Sequence, residues 1–313
     1  MEASLNIDKI LDKQEEDICS NCQPDPLNGE IRDIEPAYPL AVIIDNHLDA
    51  RPALGLSEAK LVYEIPVEGG ITRYLAFFSS DQDIKAIGPV RSARPYFIDF
   101  LQPLKAVFVH CGGSPEALVN IITRDIVDLN EFYNEDYFWR DDARPAPHNV
   151  ITSSQKLNKY LDEKSLTDVK IEPWLFNYDD KETKDKTTSS TIKIEYIADR
   201  HEVSWLYNEE DKNYTRILGG EDHRDAEGNL ITAKTIIISE LNSEVIDEKL
   251  RLKIQTQGEG EAVICSLGSC NKAQWKKTSN DDRERYYIKN KEIEFLPGNF
   301  WIEIVNEGIN YSF

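Results

Sequence analysis

Two arginines stand three residues apart in "IGPVRSAR" (87–94), within a chain whose formal net charge is −21. Arg91 and Arg94 follow an apolar run, and Pro95 behind them suits the first turn of a helix. A helix amino terminus carries roughly half a positive charge and several unpaired N–H donors. Guanidiniums beside it reinforce the preference for an anion, so Arg91 and Arg94 are expected to line a phosphate or carboxylate pocket, with Ser92 as a capping or anion-binding hydroxyl. A similar arrangement recurs in "VFVHCGGSPEAL" (107–118). A strand ends at His110, Gly112 and Gly113 allow a tight turn, Ser114 is a good N-cap and Pro115 suits the first helical position. Arg51, Arg73 and Asn149 complete the expected ligand-binding set. The competing reading is structural: paired arginines often serve buried salt bridges, and Glu58, Glu64 and Glu68 are at hand.

Proton-transfer chemistry needs a histidine beside a carboxylate. His110 and His148 are the candidate general bases, with Asp45 or Glu68 as partner, although a hydrogen-bonded structural role competes for each histidine. "RPAPHN" (144–149) sets Arg144, His148 and Asn149 in a proline-fixed loop, and "IDNHLDARPALG" (44–55) places Asp45, Asn46, His47 and Arg51 just after a strand. Cys111 adjoins His110, but neighbours in a strand point to opposite faces, which works against a direct nucleophile–base pair. Asp45, His47 and His148 are the set weighed as metal ligands; no compact zinc signature accompanies them, so no metal is assigned, and no cofactor is identified.

The elements that must carry these residues follow from hydrophobic patterning. "LAVIID" (40–45), "AKLVYEI" (59–65), "TRYLAFFS" (72–79), "IKAIGPV" (84–90) and "LKAVFVH" (104–110) read as strands. "PYFIDFLQPL" (95–104), "SPEALVNIITRD" (114–125) and "SSQKLNKYLDEKSL" (153–166) read as helices. Strands alternating with helices predict an α/β domain over 37–170 with a mixed, partly parallel sheet. Both helix starts would then share the carboxyl edge of the sheet, where open α/β sheets bind ligands. Residues 1–36 read as a polar tail or leader and 171–192 as a linker or exposed loop. From 193 to 313 many short strands separated by turn signals predict a β-rich domain, an antiparallel sheet, sandwich or barrel.

Composition bounds the function. With 57 acidic against 36 basic side chains, general nucleic-acid binding is not expected. No apolar run is long enough to cross a bilayer, and the first residues are too acidic and broken for a signal peptide. Five cysteines stand at 19, 22, 111, 265 and 270, an odd count that implies no dense disulfide framework. "CSNC" (19–22) reads as tail cysteines or a local disulfide, and "CSLGSC" (265–270) as a hairpin disulfide in an oxidising compartment.

"AVIIDNHLDARPALGLSEAKLVYEIPVEGGITRYLAFF", "IGPVRSARPYFIDF", "VHCGGSPEA" and "RPAPHN" resemble the amino-terminal domain of the YerB-like bacterial lipoprotein family, whose domains have no assigned function. "GGEDHRDAEGNLITAKTIII", "GEGEAVIC", "QWKK" and "LPGNFWIEIV" are similar to its second domain, so the resemblance spans about 40–313. It implies an extracytoplasmic, membrane-associated location and transfers no catalytic role, while neither Cys19 nor Cys22 sits in a lipoprotein cleavage site. The expected function is therefore capture of a small anionic ligand or cell-wall fragment by the amino-terminal domain, with the β-rich domain offering partner contact. The alternative is a hydrolase or transferase acting on an anionic cell-wall or nucleotide-like substrate through His/Asp acid–base chemistry.

Overall fold

Residues Pro39–Asp45 (β1), Leu61–Pro66 (β2) and Thr72–Ser79 (β3) are buried at every position, as strands covered on both faces must be. Successive side chains alternate between the two faces. Leu40, Val42 and Ile44 of β1 join one apolar cluster, and Ala41 and Ile43 join the other. β3 pairs antiparallel with both β1 and β2, and β1 continues in parallel to Val107–His110 (β4), which pairs in parallel with Asp128–Asn130 (β5). The structure is a computed structural model that describes residues 22–32, 37–167, 169–178, 191–198, 200–306 and 308–313.

Three helices cover these strands: Pro95–Leu101 (α1), Pro115–Thr123 (α2) and Ser154–Lys164 (α3). Phe97, Ile98 and Phe100 of α1 and Ala117 and Ile121 of α2 pack on one face, while Leu157, Tyr160 and Leu161 of α3 pack on the other. Pro95 and Pro115 occupy the first helical turns, and the Ser114 hydroxyl accepts from Ala117 N–H. The expected strand over 84–90 does not form; Ile87, Gly88 and Val90 make isolated bridges to Thr152, Leu54 and Ile44. A Cβ at Gly88 would lie 2.9 Å from the Val150 carbonyl, so the chain crosses its neighbours too closely for a regular ladder.

The carboxyl-terminal segment supplies Thr191–Glu195 (β6), Val203–Asn208 (β7), Asn213–Leu218 (β8), Glu221–Asp222 (β9), Thr232–Ala233 (β10), Thr235–Glu240 (β11), Gly258–Ser266 (β12), Ser269–Lys277 (β13), Arg285–Ile288 (β14), Lys291–Glu292 (β15), Phe300–Val305 (β16) and Asn310–Ser312 (β17). These twelve strands belong to two sheets, while Ser243–Val245 pairs with Leu252–Ile254 and Glu294–Phe295 with Leu175–Phe176 apart from them. β16 pairs in parallel with both β11 and β2, so one mixed sheet of eleven strands runs β15-β14-β13-β12-β11-β16-β2-β3-β1-β4-β5 through both segments. A six-stranded antiparallel sheet, β9-β8-β7-β6-β17 with β10 on β8, stacks on one face of it through Ile192, Ile194, Trp205 and Tyr214. The molecule is thus strand-rich, with a mixed sheet.

Two segments read as loose are packed where the structure describes them. Leu27 is buried, Asp25 pairs with Lys60 at 2.8 Å, and Arg283 donates to the Pro26 and Leu27 carbonyls. Trp174 is buried under the Arg283 guanidinium, 3.5 Å from its ring centre. Local polarity hid both segments, because their anchoring partners lie far along the chain. Cys19 lies outside the described residues. Cys265 and Cys270 form a disulfide between β12 and β13, where they are register partners. Among the described residues, no helix is long and apolar enough to cross a membrane.

Candidate functional site

At the carboxyl end of β1, Asp45 is buried and sits opposite Arg73 of β3 in the antiparallel register. One of its oxygens, Oδ2, lies 2.6 Å from His148 Nδ1 and 2.8 Å from Arg91 Nε. The other, Oδ1, accepts from His47 N–H. Burial alone would raise the Asp45 pKa, but the Arg91 and Arg73 guanidiniums, with the His148 and His47 hydrogen bonds, outweigh it and hold the carboxyl below its ordinary value. With the Asp45 carboxyl favoured in its ionised, accepting form, His148 Nδ1 is the donor in their hydrogen bond.

His148 reaches this place because its loop is pinned. Arg144 pairs with Asp141 at 3.2 Å and donates to the Ala50 and Pro52 carbonyls at 2.7 and 2.8 Å. That clamp ties the 144–149 loop to the turn after β1, where His47 caps the 3-10 segment Leu48–Ala50. The His47 and His148 rings stack with centroids 4.7 Å apart and planes 13° from parallel. Arg91 also donates to the Pro147 carbonyl.

The arginines are less free than the sequence suggests. Arg94 forms a fork with Glu68 through Nε at 2.5 Å and Nη2 at 2.9 Å, and also donates to the Ala93 carbonyl. Burial works to raise the Glu68 carboxyl, yet Arg94 foremost and Arg73 hold its pKa down. Arg73 is 6% exposed and donates to the Ser92 carbonyl, while its Nε has no hydrogen-bond partner among the described residues. Burial, reinforced by Arg94 and Arg91, pulls the Arg73 pKa down to about 10 against the pull of Asp45 and Glu68.

Several expected ligand groups are occupied by the fold. Ser92 donates to the Cys111 carbonyl rather than capping α1, whose cap position is Arg94. Gly112 adopts φ 65° beneath the Phe132 ring, its N–H donates to Asn130 Oδ1, and Gly113 packs against Ala93. Ser114 is spent on capping α2. Asn149 accepts from Arg140, and Arg51 is turned to Asn46 and the Arg200 carbonyl. His110 is fully buried between the Gly112 carbonyl and Asp128, at 2.7 and 2.5 Å, so its carboxylate partner is neither Asp45 nor Glu68. Burial and the adjacent Glu131 push the Cys111 thiol up to about 12, which leaves it a poor nucleophile.

Sequence reasoning did not reach two features. Asp49 stands beside His47, and one ligand atom from each of His47, Asp49 and His148 falls within 4.8 Å of the others. Its spacing two residues after a histidine was the available signal. Between the two sheets, Glu64 accepts from Arg216 at 2.5 Å, and Arg216 donates on to His223 Nδ1 at 2.8 Å. Glu303 accepts from Trp205 Nε1 and the Tyr196 hydroxyl in the same dry layer, where burial and the Glu64 charge push its pKa up to about 8 against the pull of Arg216.

Residues 27–167 match the model described as the amino-terminal domain of "Protein of unknown function (DUF3048)", and residues 192–302 match its carboxyl-terminal domain. The chain is 32% identical over 272 residues to "Putative lipoprotein YerB" of Bacillus subtilis (strain 168), spanning 85% of this chain and 81% of that protein. The crystal structure of the Bacillus subtilis YerB protein superposes with a TM-score of 0.82 at 30% identity, covering 93% of this chain and all of that one.

Proposed function

The chain belongs to the two-domain DUF3048 family, and from that membership we propose an envelope-associated binding protein that captures an anionic ligand at the Asp45–Arg73–Arg91–Arg94 cluster. A location at the outer face of a membrane rests on the relative's description as a lipoprotein. In this reading the helix-bearing amino-terminal part holds the ligand, and the strand-rich carboxyl-terminal part backs the site and offers a surface to partners. Its packing against the site edge supports that division: Arg51 donates to the Arg200 carbonyl, and His201 Nε2 lies 2.9 Å from the Asn46 carbonyl.

The charge balance around Arg73 carries the proposal. Among the described residues Arg91 pairs with Asp45 and Arg94 with Glu68, while buried Arg73 forms no ion pair and its Nε has no hydrogen-bond partner. A phosphate or carboxylate would satisfy what the protein leaves open, since a charge held in low dielectric without a partner is costly. Inorganic phosphate, a nucleoside monophosphate and a muramyl peptide serve as calorimetric probes. At least one should bind the parent and raise its melting temperature. Arg73→Gln, and Arg91→Ala with Arg94→Ala, should abolish that binding with the fold retained. Failure of all three probes to bind the parent, or undiminished binding by folded variants, defeats the reading.

The 2.6 Å contact between His148 and Asp45 favours a second reading, a hydrolase or transferase in which His148 Nε2 moves a proton on the same anionic substrate. Turnover of a phosphoester or peptidoglycan fragment that disappears in His148→Ala would support it. Turnover unchanged in that variant would remove His148 from the chemistry.

A further inference from the structure

We propose that His47, Asp49 and His148 form a divalent transition-metal site, suited to zinc, at the turn after β1, with Asp45 as the positioning residue behind His148. This goes beyond capture of an anion, because it assigns a cation to side chains that the anion does not need.

The geometry of His148 leads to this assignment. His148 Nδ1 lies 2.6 Å from Asp45 Oδ2, which leaves Nε2 as the ring nitrogen that a metal would take. A histidine backed by a carboxylate in this manner is the usual arrangement of a metal-bound imidazole, because the second hydrogen bond fixes the ring and raises its basicity. His47 then lies parallel to it at 4.7 Å, and the three candidate donor atoms lie within 4.8 Å of one another. Zinc bonds of about 2.0–2.2 Å require the donors to draw together by roughly an ångström. Two of the three can do so at little cost, since the His47 and Asp49 side chains are 41% and 65% exposed on a short 3-10 turn. The present bond from Asp49 N–H to His47 Nδ1 is long, at 3.2 Å, and its loss is a small penalty.

Donor chemistry selects the ion. Two imidazoles and one carboxylate suit zinc, cobalt, nickel or copper better than calcium or magnesium, which take oxygen ligands. Three protein ligands leave the fourth tetrahedral position open. The positive charge of Arg91, whose Nε lies 2.8 Å from Asp45 Oδ2, favours an anion in that position, such as hydroxide or a phosphate oxygen. The metal and the arginine cluster would then grip one ligand from two sides, and the Arg144 clamp holds the two halves of the metal site together.

The test uses the whole chain, stripped with chelator and titrated with zinc chloride by competition against a chromophoric chelator, with cobalt(II) absorption as the readout of geometry. The parent should take up one tight equivalent and give the intense visible bands of tetrahedral cobalt. His47→Ala and Asp49→Asn, both on the exposed turn, should each weaken zinc at least about 10-fold with the melting temperature preserved. Asp45→Asn should weaken it about 10- to 100-fold. Arg73→Gln, which should abolish anion capture, should keep zinc, so the two proposals fail separately. A parent that takes up no zinc, or a folded His47→Ala/Asp49→Ala double variant that binds as the parent does, overturns the site.

Discussion

His148 and Asp45, 103 positions apart in sequence, meet at 2.6 Å with both groups nearly closed to solvent. The pair joins the end of β1 to a loop that has only one short strand pairing near it, Trp139–Arg140 with Val150–Ile151. Removing the charge at Asp45 therefore tests more than a single bond. Because the folded-state pKa of Asp45 lies below its ordinary value, its contribution is present above the unfolded carboxyl pKa and is lost as pH falls through the folded one. Asp45→Asn should destabilise the protein near neutrality by about 1–3 kcal/mol, with the gap to the parent closing below about pH 4, in denaturant titrations across pH.

Glu303 has the opposite sign. Its folded pKa, near 8, exceeds the ordinary 4.5, so the unfolded chain gives up that proton first and stability declines as pH rises between those values. Glu303→Gln should remove up to about 1.4 kcal/mol per pH unit of that decline. Thermal melts at pH 5 and pH 8 compare the slopes; equal slopes in parent and variant would show that Glu303 is ionised throughout.

Glu64 and Arg216 are both fully buried and meet at 2.5 Å between the sheets. Taking either away leaves the other charge in a dry layer, so Glu64→Gln or Arg216→Met should cost about 3–5 kcal/mol. Replacing both with apolar residues, Glu64→Met with Arg216→Met, should cost less than the sum of the singles by several kcal/mol, measured as a double-mutant cycle in urea.

Arg144 spends three hydrogen-bonding nitrogens on Asp141 and the Ala50 and Pro52 carbonyls. Arg144→Ala should cost about 1–3 kcal/mol. It should also raise the amide exchange of residues 141–149 more than that of β1, since only the loop loses its tether. Uniform exchange changes across the molecule would indicate a global effect and no local clamp.

Gly112 holds φ 65° with the Phe132 ring 2.8 Å from where a Cβ would stand. Phe132 is 65% exposed and can swing away, so backbone strain dominates. Gly112→Ala should destabilise by about 1–2 kcal/mol. Adding Phe132→Ala should recover little of it in the same denaturant assay.

The amino-acid order by itself determined the elements whose signal is local. β1, β2 and β3 fall on the stretches read as strands, and α1, α2 and α3 begin at or beside the proline or serine that marked them, because strand burial and helix capping depend on residues a few positions apart. The residues of the candidate site were also legible by type, including Asp45, Arg73, Arg91 and His148. Tertiary structure alone decided who meets whom: Asp45 takes His148 and Arg91, Glu68 takes Arg94, His110 takes Asp128, and β16 threads the carboxyl-terminal strands into the amino-terminal sheet. Those choices compare the desolvation of each charge with the partners that long-range strand pairing brings near it. No spacing within a short window encodes that comparison, so a chain with acids to spare reads as many possible ion pairs until the sheet selects among them.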